Sequence, residues 1–220
     1  MTGNLIMASI PSLSMTILSK TLAQFSQDYP EVNIKIHQDL SSRIEEKVKN
    51  DKIPLGFVAK ESKVLSTNKD LIFQPLITGK VMACVGKKSP LSSSKQISFQ
   101  ELVKHPIISF IQHSPFSQKV LKELKQFGTP RIIFNAQDNE NTGKQLLAEG
   151  IGVSFCSTII LKSDPFFLSG KLKAIPISET TIDIYYGYVK CKSKQLSRAA
   201  NEFLKLLRKK IKEEDTISNY

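Results

Sequence analysis

The first sixty residues switch repeatedly between two hydrophobic periods, and this constrains the fold more than any other feature. Leu5 to Ile10 is a short apolar run of strand type. It stops at Pro11, and Leu18, Leu22, Phe25 and Tyr29 then recur at helical spacing until Pro30 closes the helix. Val32, Ile34 and Ile36 alternate as in a strand. Ser42-Arg-Ile-Glu45 has the form of a capping box, with Ile44 and Val48 on the core face of the helix behind it. Leu55 to Ala59 is the next strand. A β-α-β-α-β order calls for a mostly parallel sheet with helices on its faces.

The texture then changes. Leu71 to Ile77 and Lys80 to Gly86 read as two strands broken by Thr78-Gly79, followed by a Ser/Lys-rich loop from Lys87 to Gln96. Alternation resumes after that loop. Ser98-Phe-Gln-Glu101 predicts a capping box and a short helix, and Pro106 to Ile111 a strand. Ser114-Pro115 predicts a capped helix start with proline at the first position. That helix would carry Val120, Leu121, Leu124 and Phe127 inward and end at Gly128. A strand over Arg131 to Asn135, a helix over Asn139 to Glu149 and a strand over Gly152 to Cys156 follow. Ile182, Ile184, Tyr186 and Tyr188 alternate in a late strand. An amphipathic helix from Ser197 to Lys212 closes the pattern with Phe203, Leu204 and Leu207. These elements form two β/α units joined near residue 78 and again near 180, with a ligand cleft expected between them.

With 220 residues, 40% of them hydrophobic, the chain can build one large or two small cores. No apolar run approaches the roughly 20 residues that span a bilayer, and the start carries no secretion-type pattern. Cys84, Cys156 and Cys191 lie apart in apolar stretches and read as buried, reduced thiols, which suits the cytoplasm. The net charge of +11 raises the question of nucleic acid. Nearly all of it is lysine, scattered along the chain rather than gathered on one helix face, so solvated surface explains it better.

Catalytic signals are missing. There is no Gly-x-Ser-x-Gly elbow, no phosphate loop and no Gly-x-Gly-x-x-Gly opening a helix. Glu149-Gly-Ile-Gly152 follows a helix and reads as its termination. Asp138, Asn139, Glu140 and Asn141 read as the cap of the next helix. The three histidines are too dispersed for a metal centre; His37 and His105 read as surface or structural, while His113 sits at a strand-to-helix turn. No enzyme and no cofactor is expected.

Gly3-Asn-Leu-Ile-Met-Ala-Ser-Ile-Pro-Ser12, followed by Leu22-x-x-Phe25-x-x-x-Tyr29-Pro30-x-Val32, resembles the opening of the effector-binding domain of LysR-type transcriptional regulators. The similarity continues through Pro75-Leu76, Ser89-Pro90-Leu91 and Ile97-x-Phe99-x-Glu101-Leu102. It is strongest at Leu147-Ala-Glu-Gly-Ile-Gly-Val153 and runs to about residue 208. The resemblance implies an α/β fold of the type 2 periplasmic-binding-protein class, two lobes with a central ligand cleft. Residues 1–78 with 181–220 would form lobe I, and 79–180 lobe II. It also implies a cytoplasmic transcription regulator with a small effector, and the helix N-termini expected at the cleft suit an anion. A homodimer is expected, becoming a tetramer in the full-length protein, with DNA reached only through an N-terminal helix-turn-helix domain absent from this chain, and no membrane partner. Carried over by position, the effector residues are Ser12, Leu13 and Ser14 at the first helix mouth. Asp39, Ser41 and Ser42 follow the second strand, and Gln112, His113 and Ser114 stand at the equivalent mouth in the second lobe. N-capping is the alternative role of Ser14, Ser42 and Ser114. Two departures touch the pattern: Ile53-Pro-Leu-Gly-Phe-Val58, and Phe155-Cys156-Ser157 after the Gly-Ile-Gly-Val strand. A transporter's solute-binding protein and an enzyme on the same fold are the rival readings.

Overall fold

A computed structural model of the chain describes residues 1–62, 69–110, 115–135, 139–178 and 182–217. The chain forms two compact units, Met1–Thr78 with Tyr185–Tyr220, and Gly79–Ile184.

Unit 1 grows from the alternation in the first sixty residues. Strands β1 (Gly3–Ser9), β2 (Val32–Gln38) and β3 (Gly56–Lys60) are parallel, with β1 central. Strand β9 (Asp183–Cys191) joins β3 antiparallel, and the first half of β4 (Leu71–Gly86) lies beside β9. Helices α2 (Ser19–Asp28) and α8 (Arg198–Ile217) supply the core aromatics. Phe25, Phe57 and Phe203 are fully buried, and Phe203 meets the other two edge to face at 5.6 and 6.2 Å. Each such ring removes enough apolar surface from water to contribute about 1.5–3 kcal/mol.

The long helix expected after Pro11 is interrupted. A short helix α1 (Pro11–Leu13) runs into a wide π-type turn, Ser14–Leu18, before α2 begins. The backbone leaves helical geometry at Thr16 (φ −103°, ψ −110°). Its hydroxyl donates to the carbonyls of Ser12 at 2.8 Å and Leu13 at 3.3 Å, taking the place of helix bonds that the kink removes.

Helix α3 (Ser41–Lys49) starts two residues earlier than the expected box allows, with Leu40 at the cap position and no side-chain cap. Ser42 therefore lies inside the helix. The reason is long-range: Ser41 Oγ accepts from the Ala59 amide of β3 at 3.1 Å, and Glu45 is held by Lys60 at 2.9 Å.

The two strands expected around Thr78-Gly79 are one strand, β4, sixteen residues long. Its second half pairs antiparallel with β7 (Ser154–Ser157) and β8 (Leu172–Pro176), so partners on either side of the dipeptide hold it extended.

In unit 2, helix α4 (Phe99–Leu102) is capped by Ser98, whose hydroxyl accepts from the Glu101 amide at 3.0 Å. Glu101 turns instead to Lys104 and His105, so only half the expected box forms. Strand β5 (Ile107–Ser109) pairs parallel with β6 (Ile132–Asn135). Helix α5 (Pro115–Leu124) buries Val120 and Leu124, but it ends four residues before Gly128. Phe127 is not inward: it is 41% exposed and stacks on Phe99. Helix α6 (Glu140–Ala148) begins at Asn139, whose side chain accepts from the Thr142 amide. Asp138 lies outside the described residues. The short helix α7 (Pro165–Leu168) and strand β8 had no sequence expectation.

The Gly-Ile-Gly stretch acts as expected at the end of α6. Gly150 (φ +85°) terminates the helix, and Gly152 (φ +73°) brings the chain against Pro106, whose carbonyl accepts from the Val153 amide at 2.8 Å. A Cβ at Gly152 would stand 2.4 Å from that carbonyl oxygen, which only glycine avoids.

Candidate functional site

In unit 1 the three parallel strands end on one edge. Ser9 of β1 is in register with Gln38 of β2 and Phe57 of β3. The chain leaves that edge twice into a helix: from Ser9 into α1, and from Gln38 through Asp39 into α3. The Ile10 amide still reaches the Phe57 carbonyl, and the Asp39 amide the Ser9 carbonyl. This arrangement brings Ser12, Leu13 and Ser14 to the same strand-end edge as Asp39, Ser41 and Ser42. Ligands of open α/β sheets sit outside the carboxyl ends of parallel strands, because the following helices turn their amides there.

The individual side chains differ in what they can offer. Leu13 is core, 2% exposed, so only its backbone can face a ligand. Ser12 is half-buried, and its carbonyl is taken by Thr16. Ser14 is the informative one. Its amide bonds to the Ile10 carbonyl, while its hydroxyl is shut from solvent with no hydrogen-bond partner among the described residues. It is therefore not a side-chain cap, and a buried hydroxyl without a partner is costly enough to need a reason.

Asp39 is already engaged. It accepts from the Leu40 amide at 2.8 Å and from Lys47 Nζ at 2.7 Å, with Arg43 at 3.7 Å. Burial opposes its ionisation, but the Lys47 and Leu40 hydrogen bonds and the two cations outweigh that, and its pKa lies below the ordinary carboxylate value. Ser41 is spent on Ala59, and Ser42 is exposed. Sequence reasoning missed Lys60 at the end of β3, paired with Glu45 and 5.6 Å from the Phe73 ring centroid. A lysine directly after a buried strand was its only signal.

In unit 2, Gln112, His113 and Ser114 lie outside the described residues. Nearby in sequence, β5 is tied to β7 by Ser154 Oγ, which donates to the Ile108 carbonyl at 2.6 Å. At the end of β7, Ser157 is buried and its hydroxyl, like that of Ser14, has no partner among the described residues. Between α6 and the start of α7 sits a polar cluster. Lys144 of α6 contacts Asp164 at 2.5 Å and Glu140 at 2.6 Å, and Asp164 Oδ1 accepts from the Phe166 amide at the start of α7. Burial pulls the Lys144 pKa down, but the two carboxylates reverse this and leave it raised.

The cysteines correct one expectation. Cys84 and Cys156 are, as expected, buried free thiols in one apolar cluster, and the neighbouring Cys156 thiol together with burial pushes the Cys84 pKa well up. Cys191 is the exception, only half-buried. Among the described residues there is no cluster that would hold a metal ion and no helix long and apolar enough to cross a membrane.

Two α/β units, with the chain passing between them at residues 78 and 184, define the class of protein. The chain belongs to the family described as the LysR substrate binding domain, which it matches over residues 1–212. It is similar to the HTH-type transcriptional activator CmpR of Synechocystis sp., 25% identical over 208 residues, covering 93% of this chain and 65% of that protein. It spans 62–65% of the length of the first curated relatives it matches. Among solved structures it resembles the Synechocystis PCC6803 CcmR regulatory domain in complex with 2-PG. The TM-score is 0.82 at 23% identity, with 96% of this chain and 98% of that one covered. The effector binding domain of QuiR in complex with shikimate follows, at TM-score 0.78 and 18% identity, covering 97% of this chain and 99% of that one. The fold is thus of the type 2 periplasmic-binding-protein-like class.

Proposed function

We propose that this chain is the ligand-sensing domain of a LysR-type transcription regulator. Its effector would be a small anion held by Ser12–Ser14 and Asp39–Ser42 in unit 1 and Gln112–Ser114 in unit 2. The observation that carries the reading is the family match across residues 1–212. The unpartnered Ser14 hydroxyl supports the position of the site, because a ligand oxygen there would satisfy it. The complexes of the two similar domains with 2-PG and shikimate support an anionic effector.

In this reading residues 1–78 and 181–220 act as one lobe and 79–180 as the other. The domain is not an enzyme, works in the cytoplasm, forms homodimers and meets DNA through a separate N-terminal helix-turn-helix domain. The effector acts by binding one conformation of the regulator more tightly than another, which shifts the population between them.

A thermal-shift screen of small organic acids, with 2-PG and shikimate included, tests the sensing claim. A true effector raises the melting temperature in a concentration-dependent way by mass action. Stabilisation by neutral sugars alone, with no acid active, would contradict an anionic effector. For assembly, sedimentation at high protein concentration should show a dimer, and a monomer throughout would overturn that part.

A further inference from the structure

The lysines are not uniformly scattered. On α8, Lys205 lies three and four residues before Arg208 and Lys209, and Lys212 lies four and three residues after them, which gathers the four on one side of the helix. Beside them β9 contributes Lys190, and the helix and strand enclose a groove of about 710 Å³ within unit 1. Glu213 is the one carboxylate among the described residues that line it, 3.9 Å from Lys209. The lining thus carries five cationic side chains against one carboxylate, an excess of positive charge that suits an anion.

The centre of the groove is pre-shaped. Arg208 Nη2 donates to the Tyr188 hydroxyl at 2.7 Å, and its guanidinium lies 5.8 Å from the Tyr188 ring centroid. Tyr188 is buried in β9, so the arginine is anchored from below. One hydrogen bond uses one of five guanidinium donors, and the phenol, having accepted, keeps its own O–H to give. A planar donor fork fixed over an aromatic floor, ringed by lysines, is suited to a phosphoryl group.

We propose that this groove is a second ligand site, separate from the candidate effector residues, that takes a small, multiply charged anion of the phosphorylated-metabolite class. The concave shape favours a small ligand over a DNA backbone, because a groove of this volume is typical of small-molecule sites. The proposal does not rest on the effector reading, since the two sets of residues share no member.

The test is titration of the isotopically labelled protein with inorganic pyrophosphate at constant ionic strength, followed by amide NMR. Saturable shifts centred on residues 188–213 are expected, with affinity reduced about tenfold or more in Lys205→Gln/Lys209→Gln and in Arg208→Gln. The double lysine variant keeps the Tyr188–Arg208 contact, so loss of binding there reports charge rather than unfolding. Equal shifts with sodium chloride, unchanged affinity in the lysine variant, or shifts centred on Ser12 and Ser41 would each overturn the proposal. So would saturation of the same amides by a short random-sequence DNA duplex when pyrophosphate does not saturate them.

Discussion

Lys144 Nζ lies 2.5 Å from Asp164 Oδ2, and the two side chains are 6% and 1% exposed. Lys144 belongs to α6 and Asp164, twenty residues on, caps α7, so the pair ties the two helices together. Removing Lys144 leaves the Asp164 carboxylate buried without its cation, which costs about 3–5 kcal/mol. Lys144→Met should therefore lower the stability of the domain by that order in denaturant unfolding. Removing both charges should recover part of the loss, although the Asp164 bond to the Phe166 amide is then missing. A Lys144→Met domain as stable as the parent would show that the pair is not formed.

Asp39 makes stability depend on acid. Its folded-state pKa is lowered, so the folded chain releases this proton more readily than the unfolded chain does. The resulting stabilisation is complete above the ordinary carboxylate pKa and disappears as the pH falls through the lower, folded value. Asp39→Asn should cost about 1 kcal/mol or less near neutral pH, the order expected for a partly exposed ion pair at a helix start. The difference from the parent should vanish in acid. Thermal melts of both proteins across that range check this; a gap that widens in acid has the wrong sign.

The three thiols should separate by reactivity. Cys191 is half-buried, and hydrogen bonds from Ser193 lower its pKa, which increases the thiolate fraction. Cys84 and Cys156 are buried, and the Cys84 thiol is pushed the other way. Brief alkylation of the native domain should add one equivalent, at Cys191 by mass spectrometry, with the other two reacting only after denaturation.

What could be read from the sequence follows the range of each interaction. Strands β1 and β9 and helices α6 and α8 were legible because hydrophobic period is a local property and their buried faces obey it. Thr78-Gly79 misled because its turn preference is local, whereas β7, β8 and β9 hold β4 extended from far along the chain. The Ser42 box failed for a similar reason: Ser41 is claimed by Ala59, eighteen residues on. The Lys144–Asp164 pair left no pattern at all. The basic face of α8 was readable at positions 205, 208, 209 and 212, but the addition of Tyr188 and Lys190 that makes it a groove depends on the fold. In unit 1 the helix starts after β1 and β2 were legible, whereas the difference between a committed Asp39 and a Ser14 hydroxyl with no partner among the described residues depends on the fold.

That hydroxyl gives the most direct test of the sensing claim. Deleting an unsatisfied buried hydroxyl removes a desolvation cost, so Ser14→Ala should leave the unliganded domain as stable as the parent or slightly more so. If Ser14 meets the effector, the same change must weaken binding. The decisive measurement is calorimetric titration of the best acid from the screen into the parent and into Ser12→Ala/Ser14→Ala. The account predicts about a tenfold or greater rise in Kd with the unliganded melting temperature preserved. An unchanged Kd would contradict it.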